Sequence, residues 1–223
     1  MRTRLVNSAM AVFKSIRLPH LFFIVTVFSA CLAGSPLLYA SFDKGKEFKT
    51  PRRVTTQPLS RGKFLVARGN MKDPHFHKTV IYLVDYNPLG AIGIVINRLS
   101  RVTLSEALPE LEWLKGNEMP LSWGGPVEET KLTILTLTKT PLFGTEHVSG
   151  DIYAGWDIMM FKELLKSKGM DIKAVRAFSG YAGWAPGQLD LEVARGWWRV
   201  LEASEADIFR ETDNLWFKLT GRP

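Results

Sequence analysis

Cysteine is nearly absent. Cys31 is the single one in 223 residues, which excludes intrachain disulfides and any cysteine-based zinc centre. Histidine is scarce as well. His75-x-His77 sets two imidazoles on one side of an extended segment, as zinc sites do. No third ligand is close by in sequence, and His147 is the one other histidine beyond the N-terminal region. The pair therefore reads as exposed loop histidines, and no metal is assigned. The chain has no G-x-S-x-G, so the nucleophile elbow is missing. It has no G-x-x-x-x-G-K-[ST] and no G-x-G-x-x-G, the phosphate-loop and dinucleotide signatures. No catalytic residue and no cofactor follow from motif or spacing.

A basic excess is also lacking where it would matter for nucleic acid. The formal net charge is +7, yet residues 64–223 hold 18 basic and 20 acidic residues. Phosphate-backbone affinity comes from clustered Lys and Arg, so nucleic acid is disfavoured as a partner of this part of the chain. The positive charge belongs to the N-terminal region. Arg2, Arg4, Lys14 and Arg17 precede an apolar run, Leu21 to Ala33, that ends in Gly34, Ser35 and Pro36. A basic stretch, an apolar run of this length and small residues at its end form a secretory signal pattern, with cleavage after Ala33 or Ala40. A start at Met10 gives a signal of more ordinary length. Extended through Tyr39, the run approaches the ~20 residues that span a bilayer, so a membrane anchor over residues 21–40 is the competing reading. Phe28 to Cys31 resembles a degenerate lipobox, against which Cys31 reads as a small apolar residue of the run. Residues 1–40 are expected to direct export to the periplasm or to tether the chain to a membrane. Residues 41–61 are polar and basic, with Pro51 and Pro58, and read as a linker.

From residue 62 the pattern is that of a folded domain. Phe64–Ala67 is a short strand. Gly69–His77 is a loop containing Asp73-Pro74. Thr79–Tyr86 and Ala91–Asn97 are β-branched runs joined by Asn87-Pro88-Leu89-Gly90, a hairpin. Their consecutive apolar positions predict a sheet covered on both faces. Thr103–Leu108 suits a short helix. Leu121–Gly125 runs into a turn, Leu132–Thr138 alternates as a strand, and His147–Tyr153 reads as one strand. Trp156–Lys168 predicts an amphipathic helix stopped by Gly169. Lys173–Phe178 is a strand, Gln188–Arg195 a helix and Trp197–Leu201 a strand. Ser204–Arg210 starts at a serine N-cap, and Asn214–Leu219 is a last helix. Strands dominate early and helices late, without βα alternation, so the class is α+β.

The densest signal is Gly180 to Glu192, GYAGWAPGQLDLE. Read as a strand-to-helix loop, its glycines bring backbone close to other backbone, and its free amides suit an anion walled by Tyr181 and Trp184. The competing reading packs the glycines tightly and buries both aromatics. Asp190 and Glu192 point to different faces of a helix, poor geometry for paired acid–base work. The three glycine-rich segments are expected to meet, with Gly180, Gly183 and Gly187 against the Asn97-Arg98 strand end and the Gly124-Gly125-Pro126 turn. The candidate ligand contacts are then Asn97, Arg98, Gly124, Gly125, Gly180, Tyr181, Gly183, Trp184 and Gln188. On this reading a β-branched residue at Gly183 costs about 1–3 kcal/mol.

Several motifs together resemble the YqgE/AlgH family. Asp73-Pro74, Phe76 and Thr79-Val80 are similar to D-P-x-F-x-R-T-V. Gly90-Ala91, Gly93, Val95 and Asn97-Arg98 are similar to G-A-x-G-x-V-x-N-R-P. Gly124 to Val127 matches G-G-P-V, and Gly180 to Trp184, Gly187 to Leu189 and Glu192 match the most specific motif. The resemblance covers about Leu59 to Leu219. It implies a mixed, bifurcated β-sheet curled into a pseudo-barrel with helices packed outside, and the family's label of transcriptional regulator. Lys78 and Leu99 replace the family's Arg and Pro, and Tyr86 and Thr136 stand at two usual histidine positions. Thr130 and Lys131 replace an acidic–arginine pair, so no chemistry of those groups carries over. The family is mostly leaderless and taken as cytoplasmic, the alternative location here. Three function classes stay open: a non-enzymatic binding or regulatory protein with a protein or small-molecule partner, a small-ligand or anion-binding protein or enzyme using the Gly180–Gln188 loop, and a regulator acting on nucleic acid.

Overall fold

The computed structural model describes residues 57–166, 171–210 and 214–221. The expected leader (residues 1–40), residues 41–56 of the basic segment and the helix terminator Gly169 lie outside them. The β-branched runs form β2 (Val80–Asn87) and β3 (Gly90–Val95), an antiparallel hairpin. β1 (Lys63–Ala67) pairs with β2 on one side and with β9 (Trp198–Glu202) on the other. The remaining strands are β4 (Leu121–Trp123), β5 (Val127–Leu137), β6 (Thr145–Ser149), β7 (Ile152–Gly155) and β8 (Val175–Trp184). The path across the sheet is β6-β7-β5-β8-β3-β2-β1-β9, with β4 paired to β8 off that path.

The sheet forks at β8. On one side it runs antiparallel to β5. On the other, Ala177–Ser179 lies parallel to β4, while Ala182–Trp184 lies antiparallel to β3. The sheet also curls. The Tyr82 hydroxyl and Ser149 Oγ are hydrogen-bonded at 2.8 Å, although β2 and β6 stand far apart in strand order. Val148 and Ile152 share one apolar cluster with Phe64, Val66 and Tyr82, which a flat sheet could not bring about. The α+β class and the bifurcated, curled sheet are thus as expected.

Both faces are covered, as the unbroken apolar runs require. Phe64 and Tyr82 face the cluster that includes Ile208, Leu215 and Trp216, from α4 (Glu205–Phe209) and α5 (Leu215–Thr220). Leu65, Ile81 and Leu83 face the opposite way, onto Trp184, Trp198 and Leu189, the last from α3 (Gln188–Ala194). A third cluster packs Ile134, Val175 and Ala177 under α1 (Leu104–Ala107) and α2 (Ile158–Lys166). Thr103 and Glu106 form a reciprocal capping box at the start of α1. Ser204 caps α4, accepting from the Asp207 amide at 3.2 Å.

Three expectations are corrected. Gly180 to Trp184 is not a loop: β8 runs through it, because Gly180, Ala182 and Trp184 alternate inward with Tyr181 and Gly183 outward. His147–Tyr153 is not one strand but parts of β6 and β7, folded back at Gly150. β5 begins at Val127 rather than Leu132. Its register against β8 jumps from Val127↔Tyr181 to Leu132↔Ser179, so Glu128 to Lys131 bulge out of the ladder.

Candidate functional site

The fork in the sheet is where two of the glycine segments meet. Gly124 and Gly125 lie against Gly180 and Tyr181, backbone on backbone. A Cβ on Gly125 would stand 2.2 Å from the Tyr181 carbonyl carbon, and one on Gly180 would stand 2.3 Å from the Gly125 oxygen. Both have positive φ, +154° and +70°, so only glycine enters without strain. The end of β3 joins the same fork. Val95 N donates to Gly124 O at 2.8 Å, and Trp123 N donates to Arg98 O at 3.1 Å.

The rest of the expected constellation does not converge on this point. Gly183 is exposed, has no positive φ, and a Cβ there would meet the Tyr181 ring at 3.4 Å and a Val127 methyl at 4.0 Å, both ordinary contacts. Neither of the causes from which its intolerance of larger residues was expected, backbone strain and close backbone approach, is present. Gly187 opens α3 at φ +71° with nothing within 4 Å of its Cβ position. Asn97 turns away from the fork: its Oδ1 accepts from Val80 N at 2.7 Å, and its Nδ2 donates to Lys78 O at 2.9 Å. It thereby holds Lys78 at φ 55°, the position where the resembled motif carries Arg. Arg98 is exposed and donates to His77 O at 2.6 Å. Gln188 is used locally, accepting from Ala185 N at 3.1 Å and donating to Glu192 at 3.0 Å. Tyr181 is half-buried under the Lys131 ammonium, 5.7 Å from its ring centre, whereas Trp184 is buried at 7% exposure.

Glu192 is the hub of this region. One carboxylate oxygen accepts from the indole of Trp184 at 2.9 Å and from that of Trp198 at 2.8 Å. The two indoles meet edge to face, with centroids 6.2 Å apart. Asp190, on another face of α3 as the helical spacing predicts, accepts from the Tyr86 hydroxyl at 2.7 Å. That bond is the main cause of a Tyr86 pKa above the ordinary phenol value. Tyr86 stands where the resembled family has a histidine, and here it docks α3 onto the sheet.

Two features escaped the sequence reading. Arg176 is an arginine in the otherwise apolar run Ala174–Phe178, and that contrast was its signal. It donates to Ile208 O at 2.7 Å and Ile96 O at 3.0 Å and lies over the Phe178 ring. Burial pulls its pKa down to about 10. The second is a depression of about 520 Å³ lined by Arg68, Gly69, Asn70 and Gly196. Its signal was an Arg-Gly-Asn turn ending a strand. His75 bonds Asp73 at 2.9 Å, and no cluster of three or more ligating side chains occurs among the described residues.

The AlgH-like family profile (DUF179) matches residues 64–222. A UPF0301 protein of Hahella chejuensis is 37% identical over 157 residues, 69% of this chain and 83% of that protein. A UPF0301 protein of Chlorobium luteolum is 31% identical over 159 residues, 71% of this chain and 82% of that protein. The solution structure of the AlgH protein from Pseudomonas aeruginosa superposes with a TM-score of 0.61 at 28% identity, covering 72% of this chain and 86% of that one. A crystal structure of a Corynebacterium diphtheriae protein shares the fold, with a TM-score of 0.62 at 22% identity, covering 75% of this chain and 90% of that one. The motifs, the forked sheet and these likenesses agree: the chain belongs to the AlgH-like family.

Proposed function

We propose that this protein is a non-enzymatic binding protein, carried to the periplasm or held at a membrane by its N-terminal region. One observation carries the first part. Three polar side chains at the glycine-rich motifs are committed to the protein's own backbone and indoles: Asn97 to Lys78 and Val80, Gln188 to Ala185, Glu192 to Trp184 and Trp198. A group that activates substrate must be within hydrogen-bond reach of the reacting atoms, and these are spent holding the fold. The location rests on the basic-then-apolar pattern of residues 1–40. No helix among the described residues is long and apolar enough to cross a membrane.

The test has two arms. The full chain is expressed in a Gram-negative host and fractionated. The expected result is recovery in periplasm or membrane, and full-length soluble protein in the cytoplasm overturns the location. Affinity capture from that fraction, with mass spectrometry of retained proteins and small molecules, is expected to give a stoichiometric companion. Saturable, heat-labile turnover of generic ester, phosphate or peptide substrates overturns the non-enzymatic reading.

A further inference from the structure

We propose that the depression between the Arg68–Met71 turn and the Gly196 end of α3 binds a small molecule through an oxyanion, a phosphate or carboxylate gripped by Arg68 and Asn70. This goes beyond the binding reading above by giving it a ligand class and a place.

The pocket is built by two backbone reversals. Arg68 N donates to Trp197 O at 2.9 Å, closing the β1–β9 ladder, and Met71 N donates back to Arg68 O at 3.0 Å. The intervening Gly69 and Asn70 therefore project beyond the sheet. Opposite them, just past the end of α3, Gly196 turns left-handed at φ +74° and has no atom within 4 Å of its Cβ position. Two of the four lining residues carry no side chain, so backbone is reachable and the space of about 520 Å³ stays open.

The charges point to an anion. Arg68 faces Trp197 at the end of the ladder, and Arg199 faces Val66 two residues along. Both arginines lie at the same end of the β1–β9 pair, although Arg199 is not among the residues that line the depression. No carboxylate is ion-paired to either among the described residues, and the side chains of Arg68 and Asn70 make no hydrogen bond there. Arg199 gives one nitrogen to Leu219 O, while its Nε is buried without a partner. Burial and the charge of Arg68 both push the Arg199 pKa down, as expected of two cations with no counter-charge between them. An arginine fork beside an amide donor matches the planar geometry of carboxylate and phosphate oxygens.

Backbone amide NMR of the full chain, titrated with inorganic phosphate and separately with acetate at constant ionic strength, tests the proposal. Saturable shifts are expected at Gly69, Asn70 and Gly196. Which anion saturates at lower concentration identifies the head group. Arg68→Gln is expected to weaken binding roughly tenfold or more, since a hydrogen bond to a charged group is lost. Asn70→Asp is expected to abolish binding, and Arg101→Gln to leave it unchanged. The amide spectrum itself reports that each variant is folded. Shifts that grow linearly without saturating, that match a chloride control, or that survive Arg68→Gln in a folded protein overturn it. Companion capture and turnover are separate readouts, so failure at this pocket leaves the binding reading standing on its own test.

Discussion

The motif around Gly180 contains two regions that use one residue type in opposite ways. At its start, Gly180 is wedged against Gly125 with positive φ and no room for a methyl group. Three residues on, Gly183 stands in the same strand, exposed, with ordinary space at its Cβ position. Sequence treats them as equivalents within one glycine-rich stretch. The structure makes one a steric requirement of the forked sheet and the other merely compatible with it. Glycine density alone is therefore not a measure of backbone crowding. What counts is whether a second backbone crosses at that residue.

The comparison is broken most forcefully at Gly125. Gly125→Ala puts a Cβ within 2.2–2.5 Å of the Tyr181–Ala182 backbone and adds the strain of φ +154°. Backbone cannot move aside as a flexible side-chain end can, so a loss of about 3 kcal/mol or more is expected. Urea denaturation followed by tryptophan fluorescence measures it. A midpoint close to that of the wild type would show that the fork relaxes freely.

Next in size is Glu192, which holds the second half of the motif together without glycine. Removing its carboxylate strands the indole N–H groups of Trp184 and Trp198, which are only 7% and 1% exposed. Glu192→Ala is expected to cost about 2–3 kcal/mol, and Glu192→Gln less because an acceptor oxygen remains. If both variants denature at the wild-type midpoint, the hub is not holding α3 to the sheet.

The curl of the sheet offers a pH-dependent contrast. Tyr82, at the contact between β2 and β6, has its pKa raised to about 12, chiefly by burial, with the Ser149 hydrogen bond pulling the other way. Between pH 10 and about 12 the unfolded chain releases this proton while the folded chain keeps it. Stability attributable to Tyr82 is therefore complete below pH 10 and falls through that window, by about 2 kcal/mol at the upper end. Arg176, depressed to about 10 by burial, acts with the opposite sign in the same range. The informative quantity is thus the slope of wild type minus that of Tyr82→Phe. Parallel slopes above pH 10 would remove Tyr82 as the cause.

Much of the fold was legible because burial leaves a period in the sequence. The runs of β2 and β3 announced a sheet covered on both faces. Thr103 with Glu106, and Ser204, announced helix starts through the oxygens that caps require. β8 was misread because glycine argues for a loop. The alternation of Gly180, Ala182 and Trp184 against Tyr181 and Gly183 was nevertheless a strand signal. The bulge at Glu128–Lys131 hid the start of β5, since a charged excursion inside a strand looks like a loop from sequence. For the candidate site, the meeting of Gly124 and Gly125 with Gly180 followed from steric economy. The orientation of Asn97 and Gln188 did not, because a short amide side chain bonds whichever backbone group lies nearest. No local pattern encodes which group that will be. The Arg68–Gly196 depression joins residues more than a hundred positions apart, and only the β1–β9 pairing brings them together.

The smallest expected effect is the sharpest test of the comparison. Gly183→Val adds a β-branched side chain to a strand position whose nearest neighbours are the Tyr181 ring at 3.4 Å and a Val127 methyl at 4.0 Å. The backbone is already extended and paired with Ile92 of β3, so no dihedral has to change. Valine favours strands where glycine loses entropy on folding, and the added methyl groups would lie against an aromatic face. These gains offset the modest crowding of a side chain that can rotate. The net change is expected to stay within about 0.5 kcal/mol of zero, as for most exposed substitutions. Thermal and urea unfolding of Gly183→Val beside Gly125→Ala measure both ends of the comparison in one experiment. If Gly183→Val were as damaging as Gly125→Ala, the whole motif would be one crowded unit, and the division between its two halves would have to be given up.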